Sequence, residues 1–301
     1  MEKRDECRIE HLPVTVIIPV YNGEAFIGAT VESVLGQTHR NVKVLCLIDG
    51  TKDRSRDIIE SFGDPRVTVF ERENRGMVYR RNEGLHMADS EHLLFLDHDD
   101  VLYPDFLETP LRVMEERDAA AVATGGHLID ANGRIIRRMY RFRRPSLTLE
   151  RLSRWNELFC TGQVLIRKSA LLAVGGFDEG AGSAVDWDLW IRLAKRALPF
   201  VFVDRCLMGY RIHANNDSKN AAKMLAGERH ILRHTLHMFG NPDKNESYAL
   251  LRYSSRAGDW KALGEALRLN ASLLFHPRFC MAVMHIAMNH ANRKMNGGIT
   301  G

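Results

Sequence analysis

Continuous apolar runs alternate with amphipathic segments through the first third of the chain. Each run ends at a turn signal or a polar residue, as buried strands do, and the segments between them carry apolar residues on one helical face. Such an alternation indicates a parallel sheet covered by helices on both faces. The predicted strands are 14–18, 42–48, 67–70 and 92–96, and the predicted helices are 25–36, 53–62 and 76–88.

The pattern changes after residue 104. It then predicts, in chain order, a helix to residue 116, a hairpin at Asn132–Gly133, a strand over 161–167, a helix over 186–197, and strands over 200–203 and 207–212. Residues 221–296 are helical in composition, with breaks near 240–243, 258–259 and 276–277. The sequence therefore predicts an α/β fold with a doubly wound, mostly parallel sheet and a C-terminal helical appendage.

Three carboxylates follow the apolar run His92–Leu96 within four positions: Asp97, Asp99 and Asp100. Like charges this close repel one another unless a cation or hydrogen-bond donors neutralise them. Hard oxygen ligands suit Mg²⁺ or Mn²⁺, and those ions hold diphosphates, so the segment indicates a metal-bridged nucleotide site. The alternative is a polar turn that caps the next helix, with Asp100 to Pro104 as its start signal.

Composition and charge narrow the class of protein. The chain has 301 residues, 45% of them hydrophobic and 27% charged, as in an ordinary globular protein. Its net charge of +4 is too small to indicate a nucleic-acid partner. Between residues 134 and 154 the sequence has eight arginines and one acid, Glu150. This segment could contact phosphates or an anionic membrane surface, or it could be a solvated hairpin and loop.

Cysteines and apolar runs bear on location. The five cysteines are scattered and form no CxxC pair, which predicts a reducing compartment. Residues 1–12 lack the apolar core of a signal peptide, and no apolar run approaches the roughly 18 to 20 residues of a membrane span. We expect a cytoplasmic protein whose membrane contact would be peripheral, on the inner face. For the methionine-rich face Met281–Met288, core packing is favoured over lipid contact.

Seven short motifs occur in one order along the chain. They are Pro19-Val20-Tyr21-Asn22, Asp49-Gly50, Asn74-Arg75-Gly76 with Arg81-Asn82-Glu83-Gly84, Asp97-His98-Asp99-Asp100, Gly175-Gly176-Phe177-Asp178-Glu179, Asp186-Trp187-Asp188-Leu189-Trp190 and Tyr210-Arg211-Ile212-His213. Together, from about residue 14 to 218, they closely resemble the family 2 glycosyltransferases, inverting enzymes of the GT-A fold.

The resemblance implies a division of the chain. It comprises an N-terminal extension (1–12), a GT-A domain (13–218) with a Rossmann-like nucleotide-binding half (13–103) and an acceptor-side half (104–218), and a helical C-terminal region (219–301).

The resemblance also implies how a nucleotide would be bound. Pro19 and Tyr21 match the strand end that lines the base pocket. Asp49 matches the acid that accepts a hydrogen bond from the base, usually uracil. Arg81 matches an arginine near the nucleotide, and Asp97 matches the first acid of the DXD motif, which meets the ribose or water around the ion.

The remaining implied roles concern the cation and the reaction. Asp99 matches the metal-binding acid, and His213 matches a late histidine that completes metal or diphosphate coordination. Asp186 matches the general base that removes the acceptor hydroxyl proton during a single inverting displacement. The expected cofactor is Mn²⁺ or Mg²⁺, the expected donor a nucleotide sugar with UDP favoured, and the expected acceptor a glycan or lipid-linked sugar.

Two positions depart from the family pattern. Ile48 stands where relatives often have a first Asp before Asp49, and Val185 stands where they commonly have Glu beside Asp186. Val185 motivates an alternative hypothesis, a non-catalytic GT-A scaffold that binds a nucleotide or a partner glycosyltransferase. The presence of Asp99, Asp186 and His213 weighs against that alternative.

Several further residues carry open interpretations. Candidates for acceptor contact or for support of the site are Asp100, Glu24, Asp178 and Trp187. Trp187 lies in an amphipathic helix, where packing is the favoured explanation over sugar stacking. His230, His234 and His237 share a helical face at a metal-ligand spacing, but no HExxH arrangement accompanies them, so an exposed or core-lining face is favoured.

Overall fold

The computed structural model describes residues 9–139, 148–153, 155–214, 216–236 and 241–296. Its strands are β1 Val14–Val20, β2 Val42–Asp49, β3 Val67–Arg72, β4 His92–Phe95, β5 Val101–Leu102, β6 Ala121–Ile129, β7 Ile135–Arg138, β8 Val164–Arg167 and β9 Phe200–Arg211. All of the strands predicted for the first hundred residues are confirmed, within a few residues at their ends.

The α-helices follow the same alternation and then continue to the end of the described chain. They are α1 Ile27–Leu35, α2 Ser55–Glu60, α3 Met77–Met87, α4 Glu108–Glu116, α5 Leu149–Leu152, α6 Lys168–Ala173, α7 Val185–Lys195, α8 Ala221–His230, α9 Pro242–Ala257, α10 Trp260–Leu269 and α11 Pro277–Asn296. The predicted breaks in the tail are confirmed because Pro242 begins α9, Gly258 ends it in a left-handed conformation and Pro277 begins α11.

The nine described strands form one sheet in the order β3-β2-β1-β4-β8-β6-β9-β5, with β7 paired to β6. The first half, from β3 to β4, is entirely parallel. Beyond it β8 runs antiparallel to both β4 and β6, while β9 runs parallel to β6. The result is a mixed α/β sheet whose parallel half has the doubly wound arrangement that the apolar runs predict.

Two predicted elements differ from the observed ones. The strands expected over 200–203 and 207–212 are one strand, β9, whose register against β6 shifts near Gly125. A polar stretch, Asp204-Arg205, breaks the apolar pattern there, but the backbone stays extended through the irregularity. The strand expected from 161 begins at Val164, after a 3₁₀ turn.

The side chains of β1 and β4, in the middle of the sheet, are buried on both of its faces. On one face Val16 and Ile18 of β1 belong to a core with Val31 of α1 and Leu111 of α4. On the other face α3 approaches β1 and β2 so closely that Gly84 allows no side chain there. Helices on both faces leave the strand ends as the place where polar groups gather.

The described chain divides into two compact units. The sheet unit comprises Met1–Thr148, Asn156–Asp178 and Arg192–Ala214, and the helical unit comprises Leu149–Trp155, Glu179–Ile191 and Asn215–Gly301. The helical unit thus includes the start of α7, which the sequence-based division places in the acceptor-side half. No helix in the described part of the chain combines the length and apolar character needed to span a bilayer.

Candidate active site

The three carboxylates predicted from the sequence lie in the loop between β4 and β5, at the carboxyl edge of the sheet. The amide of Asp100 donates to the carbonyl of Asp97 at 3.2 Å, which closes the turn. The hydroxyl of Thr30, on α1, lies 2.8 Å from the carbonyl oxygens of both His98 and Asp100. A buried threonine therefore fixes the loop to α1.

Asp99 and His213 meet although 114 positions separate them. His213 Nε2 lies 2.7 Å from Asp99 Oδ2, and the two side chains are 16% and 14% exposed. β5 pairs antiparallel with β9, so the loop before β5 and the residues after β9 reach the same end of the sheet. The Phe26 ring packs beside the imidazole, with ring centres 4.8 Å apart.

Asp100 is fully buried beneath this pair. Its Oδ1 accepts a hydrogen bond from the amide of Arg211 at 2.9 Å, and the Arg211 side chain donates from Nε to the carbonyl of Asp99 at 2.7 Å. Burial, with the charges of Asp99 and Asp97 beside it, raises the pKa of Asp100 well above its usual range. Asp100 thus links the carboxylate loop to the end of β9 through the amide of Arg211.

Arg81 brings a cation to the first acid of the motif. Its Nη2 donates to Asp97 Oδ1 at 2.5 Å, and its guanidinium carbon lies 5.7 Å from the centre of the Phe177 ring. The residue is 4% exposed, and its buried Nε has no hydrogen-bond partner among the described residues. α3 therefore carries an arginine whose fork is directed at the carboxylate edge and keeps one donor to spare.

Asp49 ends β2 and is 3% exposed. Its Oδ1 accepts from the amide of Arg75 and from Nε of Arg80, and its Oδ2 accepts from the amide of Gly76, each at 2.8 Å. A carboxylate has about four lone-pair sites, so roughly one remains for a ligand. Asp49 shapes the loop before α3 and keeps at most a single contact for a base.

The loop after β1 contains Tyr21, which is 51% exposed, and Glu24. The amide of Gly23 donates to Ser55 Oγ at 3.0 Å, and that of Glu24 donates to Asp53 Oδ2 at 2.9 Å. A Cβ at Gly23 would lie 2.8 Å from the His98 ring, so only glycine lets this loop pass beside the carboxylates. The exposed Tyr21 ring stands at the open side of the edge.

Pro19 lies inside β1, near its end. Ile17 accepts a hydrogen bond from Leu96 across β1 and β4, and the registered pairing with β4 ends there. Residues two apart in a strand face the same neighbour, so the missing N–H of Pro19 falls where β4 has already ended. Proline is compatible with this central strand for that reason.

The candidate base Asp186 lies in the helical unit, in the first turn of α7, where its Oδ1 accepts from the amide of Trp187 at 2.7 Å. Trp187 is 3% exposed, and its indole donates to the carbonyl of Leu152 at 2.7 Å. The guanidinium of Arg252 lies 4.7 Å from the ring centre. A buried, hydrogen-bonded indole supports the packing interpretation of Trp187 rather than sugar stacking.

The glycine-rich loop that contains Asp178 is held from α3. Asn82 accepts from the amide of Phe177 at Oδ1 and donates from Nδ2 to its carbonyl, each at 2.8 Å. Asp178 follows directly and is partly buried. Of these two neighbouring residues, Arg81 therefore contacts Asp97, and Asn82 holds the glycine-rich loop 175–179.

The second metal hypothesis receives no support. The rings of His230 and His234 are tilted by 33° to one another, with centres 4.4 Å apart, and His237 lies outside the described residues. Within the described ranges no three His, Cys, Asp or Glu side chains are grouped as metal ligands. No third side chain of these types therefore completes a metal site with Asp99 and His213 among the described residues. A cation held by Asp99 and His213 would take its remaining ligands from the oxygen atoms of a bound ligand or of water.

Three residues of the site carry no sequence-predicted role. Thr30 and Arg211 hold the carboxylate loop, and Arg80 neutralises the buried Asp49. Arg211 stands inside the Tyr-Arg-Ile-His motif, and that position is a signal from which its role could have been proposed. A threonine on an apolar helix face and the first of two adjacent arginines, Arg80, offer no such signal.

The mixed sheet, with acids at the carboxyl edge of its parallel half, has the architecture of the GT-A fold. Residues 15–175 match the family described as Glycosyl transferase family 2. The chain belongs to this family and is a glycosyltransferase.

A curated relative and two solved structures illustrate the likeness. TuaG of Bacillus subtilis (strain 168), named as a teichuronic acid biosynthesis glycosyltransferase, is 30% identical over 215 residues, which cover 70% of this chain and 83% of TuaG. Several other curated relatives are longer, and the chain spans only 32% to 36% of their length.

Residues 1–349 of S. aureus TarS in complex with UDP-GlcNAc superpose with a TM-score of 0.63 at 18% identity, over 91% of this chain and 80% of that one. The mannosyltransferase PcManGT from Pyrobaculum calidifontis, in complex with GDP-Man and Mn²⁺, gives a TM-score of 0.59 at 18% identity, over 93% and 87%. At these identities the structures confirm the GT-A fold, and what they bind is their own property.

Proposed function

We propose that this glycosyltransferase moves a sugar from a nucleotide-diphosphate donor, with UDP favoured, to a hydroxyl of a glycan or lipid-linked acceptor, with a divalent cation and with inversion at the anomeric carbon. One observation carries the proposal: Asp99 Oδ2 and His213 Nε2 lie 2.7 Å apart at the carboxyl edge of the sheet. In open α/β sheets this edge is where ligands bind.

The donor would lie along the same edge. Tyr21 is exposed there for contact with a base, and Asp49 keeps roughly one acceptor site, which suits a single imide N–H. Arg81, with its spare buried Nε, and Asp97 would meet the ribose or the diphosphate. The preference for UDP is supported by TarS, which binds UDP-GlcNAc and UDP, while PcManGT binds GDP-Man and makes GDP the competing choice.

Asp99 and His213 would hold the cation. The pair offers one carboxylate oxygen and one imidazole nitrogen, which suits Mn²⁺ better than Mg²⁺, because Mg²⁺ favours a shell of oxygens only. The buried, unpartnered Oδ2 of Asp100 and the three adjacent carboxyl groups also fit a site that receives positive charge. Such a cation, when bound, neutralises charge that develops on the leaving diphosphate.

Asp186 would be the general base. Its carboxylate would take the proton from the acceptor hydroxyl while that oxygen attacks the anomeric carbon from the face opposite the diphosphate. The proton ends on Asp186, one glycosidic bond forms and the bond to the diphosphate breaks, so a single displacement inverts the configuration. The neighbouring Val185 contributes no second carboxylate to this step.

A glycan or lipid-linked acceptor is supported by the name of TuaG, which assigns that relative to teichuronic acid biosynthesis. The arginines of the described hairpin, Arg134, Arg137 and Arg138, add positive charge that suits an anionic acceptor. Arg138 is paired with Asp204 at 2.9 Å, so part of that charge is already neutralised.

The test is a panel of UDP- and GDP-sugars assayed for donor hydrolysis and transfer, with Mn²⁺ and with EDTA. Asp99→Asn and Asp186→Asn are compared with Asp204→Asn, which removes an exposed carboxylate outside the site. We expect the Mn²⁺-dependent rate to fall at least about 100-fold in the first two variants. The Asp204→Asn protein should keep the wild-type rate of donor hydrolysis, a reaction that needs no acceptor sugar.

Binding measurements separate the two roles. Asp99→Asn should weaken Mn²⁺-dependent UDP binding in calorimetry, whereas Asp186→Asn should bind UDP as the wild type does. Unchanged turnover in Asp99→Asn would refute the metal assignment, and unchanged turnover in Asp186→Asn would refute the base. An axial–equatorial assignment of the product by NMR decides between inversion and retention.

A further inference from the structure

The last helix, α11, presents apolar residues on two opposite sides. Ala282 and Ile286 are fully buried and belong to the core of the helical unit. Met281, Met284 and Met288 recur at helical spacing on the opposite side, and they are 51%, 57% and 61% exposed. Core packing was the favoured explanation of this methionine face. The core-packing explanation is wrong, because the buried residues of α11 lie on the other side of the helix.

Two further large apolar residues are exposed just before the helix. Leu274 is 52% exposed and Phe275 is 91% exposed. Single exposed apolar residues are ordinary on protein surfaces, but five large ones within 15 consecutive positions are not. We call the surface formed by Leu274, Phe275, Met281, Met284 and Met288 the methionine face.

The segment that carries the methionine face has charged residues of one sign. From residue 266 to residue 301 the sequence contains four basic residues, Arg268, Arg278, Arg293 and Lys294, and neither aspartate nor glutamate. Arg268 and Arg278 are exposed, and the guanidinium carbon of Arg278 lies 3.8 Å from the centre of the Trp155 ring. A segment with exposed basic side chains and no acids suits contact with an anionic surface.

We propose that the methionine face docks on an anionic phospholipid bilayer. The methionines and Phe275 would enter the boundary between head groups and acyl chains, and the arginines would meet lipid phosphates. Methionine suits such a contact because its unbranched, polarisable side chain adapts to an irregular partner. A helix that lies in the membrane plane needs one apolar side towards lipid and one towards its own domain, and α11 has both.

The test is flotation of the full chain with vesicles of phosphatidylcholine alone and with vesicles that also contain phosphatidylglycerol. The test variant combines Phe275→Ser, Met281→Gln and Met284→Gln. The matched control combines Ile135→Thr, Ile136→Thr and Leu172→Gln, which removes three exposed apolar side chains from the sheet unit, two of them on the arginine-rich hairpin. All six residues are exposed, so circular dichroism should show wild-type folding in both proteins.

We expect wild type and control to float with the anionic vesicles, less so at high salt and with neutral lipid, and the test variant to lose about tenfold or more in lipid partition. Wild type that stays with the lipid-free fraction, or a test variant that floats as wild type does, would overturn the proposal. So would a wild-type dimer that does not bind vesicles and that the test variant dissociates. Turnover is not the readout, so failure here leaves the proposed reaction untouched.

Discussion

Arg80 shows how a buried charge in the sheet unit depends on partners from several segments. Its side chain is 2% exposed and donates to Asp49 from Nε and to Glu83 from Nη1, while Nη2 contacts the carbonyl of Glu73. A guanidinium can serve three acceptors in fixed directions at once. Asp49 accepts the hydrogen bond from Arg80 together with those from the amides of Arg75 and Gly76. Arg80 therefore helps to hold the carboxylate that is predicted to bind the nucleotide base.

Arg80→Lys tests this role. An ammonium keeps the charge but cannot reach all three acceptors, so we expect the free energy of unfolding to fall by about 1–3 kcal/mol in urea denaturation. Arg54→Lys is the matched control, because Arg54 forms an exposed ion pair with Glu24, and its effect should stay within about 0.5 kcal/mol. An equal loss in both variants would contradict the argument.

His39 gives stability a pH dependence. The ring is buried, its Nε2 lies 2.9 Å from the carbonyl of Leu12, and burial lowers the pKa of His39 below 6.5. The unfolded chain then binds more protons at acid pH, so this contribution to stability is present above about pH 6.5 and is lost as the pH falls towards the folded pKa.

The measurement is urea unfolding of wild type and His39→Gln between about pH 7 and pH 5. Glutamine can donate to the same carbonyl but does not titrate. We therefore expect the variant to lose less stability than the wild type over this range. A variant with the same slope would show that other groups cause the pH dependence.

The packing of a helix can depend on a close contact that its own hydrophobic pattern does not show. α3 carries both Arg80 and Arg81, and it packs on the sheet through Gly84, where an added Cβ would overlap Ile17 and lie 3.1 Å from Leu47. Glycine costs helix stability by itself, so its place in the middle of α3 is explained by packing. The contact also sets how far Arg81 extends towards Asp97.

Gly84→Ala should therefore destabilise the protein by about 1–3 kcal/mol, although alanine is the better helix former. Gly28→Ala in α1 is the control, because its Cβ would make an ordinary 3.4 Å contact with Ile58. We expect Gly28→Ala to be neutral or stabilising by up to about 1 kcal/mol. Thermal and urea unfolding of both variants measure the difference, and a stabilised Gly84→Ala protein would refute the packing argument.

At the scale of the whole molecule, ligands should stabilise the fold through the sheet unit. Asp97, Asp99, His213 and Arg81 all belong to that unit, so donor and cation would bind within one compact body. A ligand that binds only the folded state at about 100 times its Kd stabilises it by about 2.7 kcal/mol. The increase in the unfolding midpoint is then a measure of site occupancy.

We expect UDP with Mn²⁺ to raise the midpoint of wild type and of Asp204→Asn, and GDP to raise it less. EDTA should abolish most of the increase. The Asp99→Asn protein should respond to UDP with Mn²⁺ no more than to UDP alone. Equal midpoint shifts in Asp99→Asn and wild type would show that the carboxylate takes no part in cation binding.

Some features follow from the sequence alone. The apolar runs predict β1 to β4 and the helices between them, because a strand buried on both faces of a sheet must be apolar throughout. The ends of those strands bring Asp49 and Asp97 to one edge, since parallel strands share a direction. The order of the seven motifs identifies the family, which the match over residues 15–175 confirms.

Other features were decided only by tertiary structure, because they depend on contacts between distant segments. Asp99 meets His213 through the pairing of β5 with β9, and the buried Asp49 meets Arg80 of α3, which is 31 positions away and lies beyond β3. The methionine face is a matter of which side of α11 the core takes, and both sides are apolar in the sequence. Periodicity identifies candidate faces, but burial, which is a property of the folded chain, selects between them.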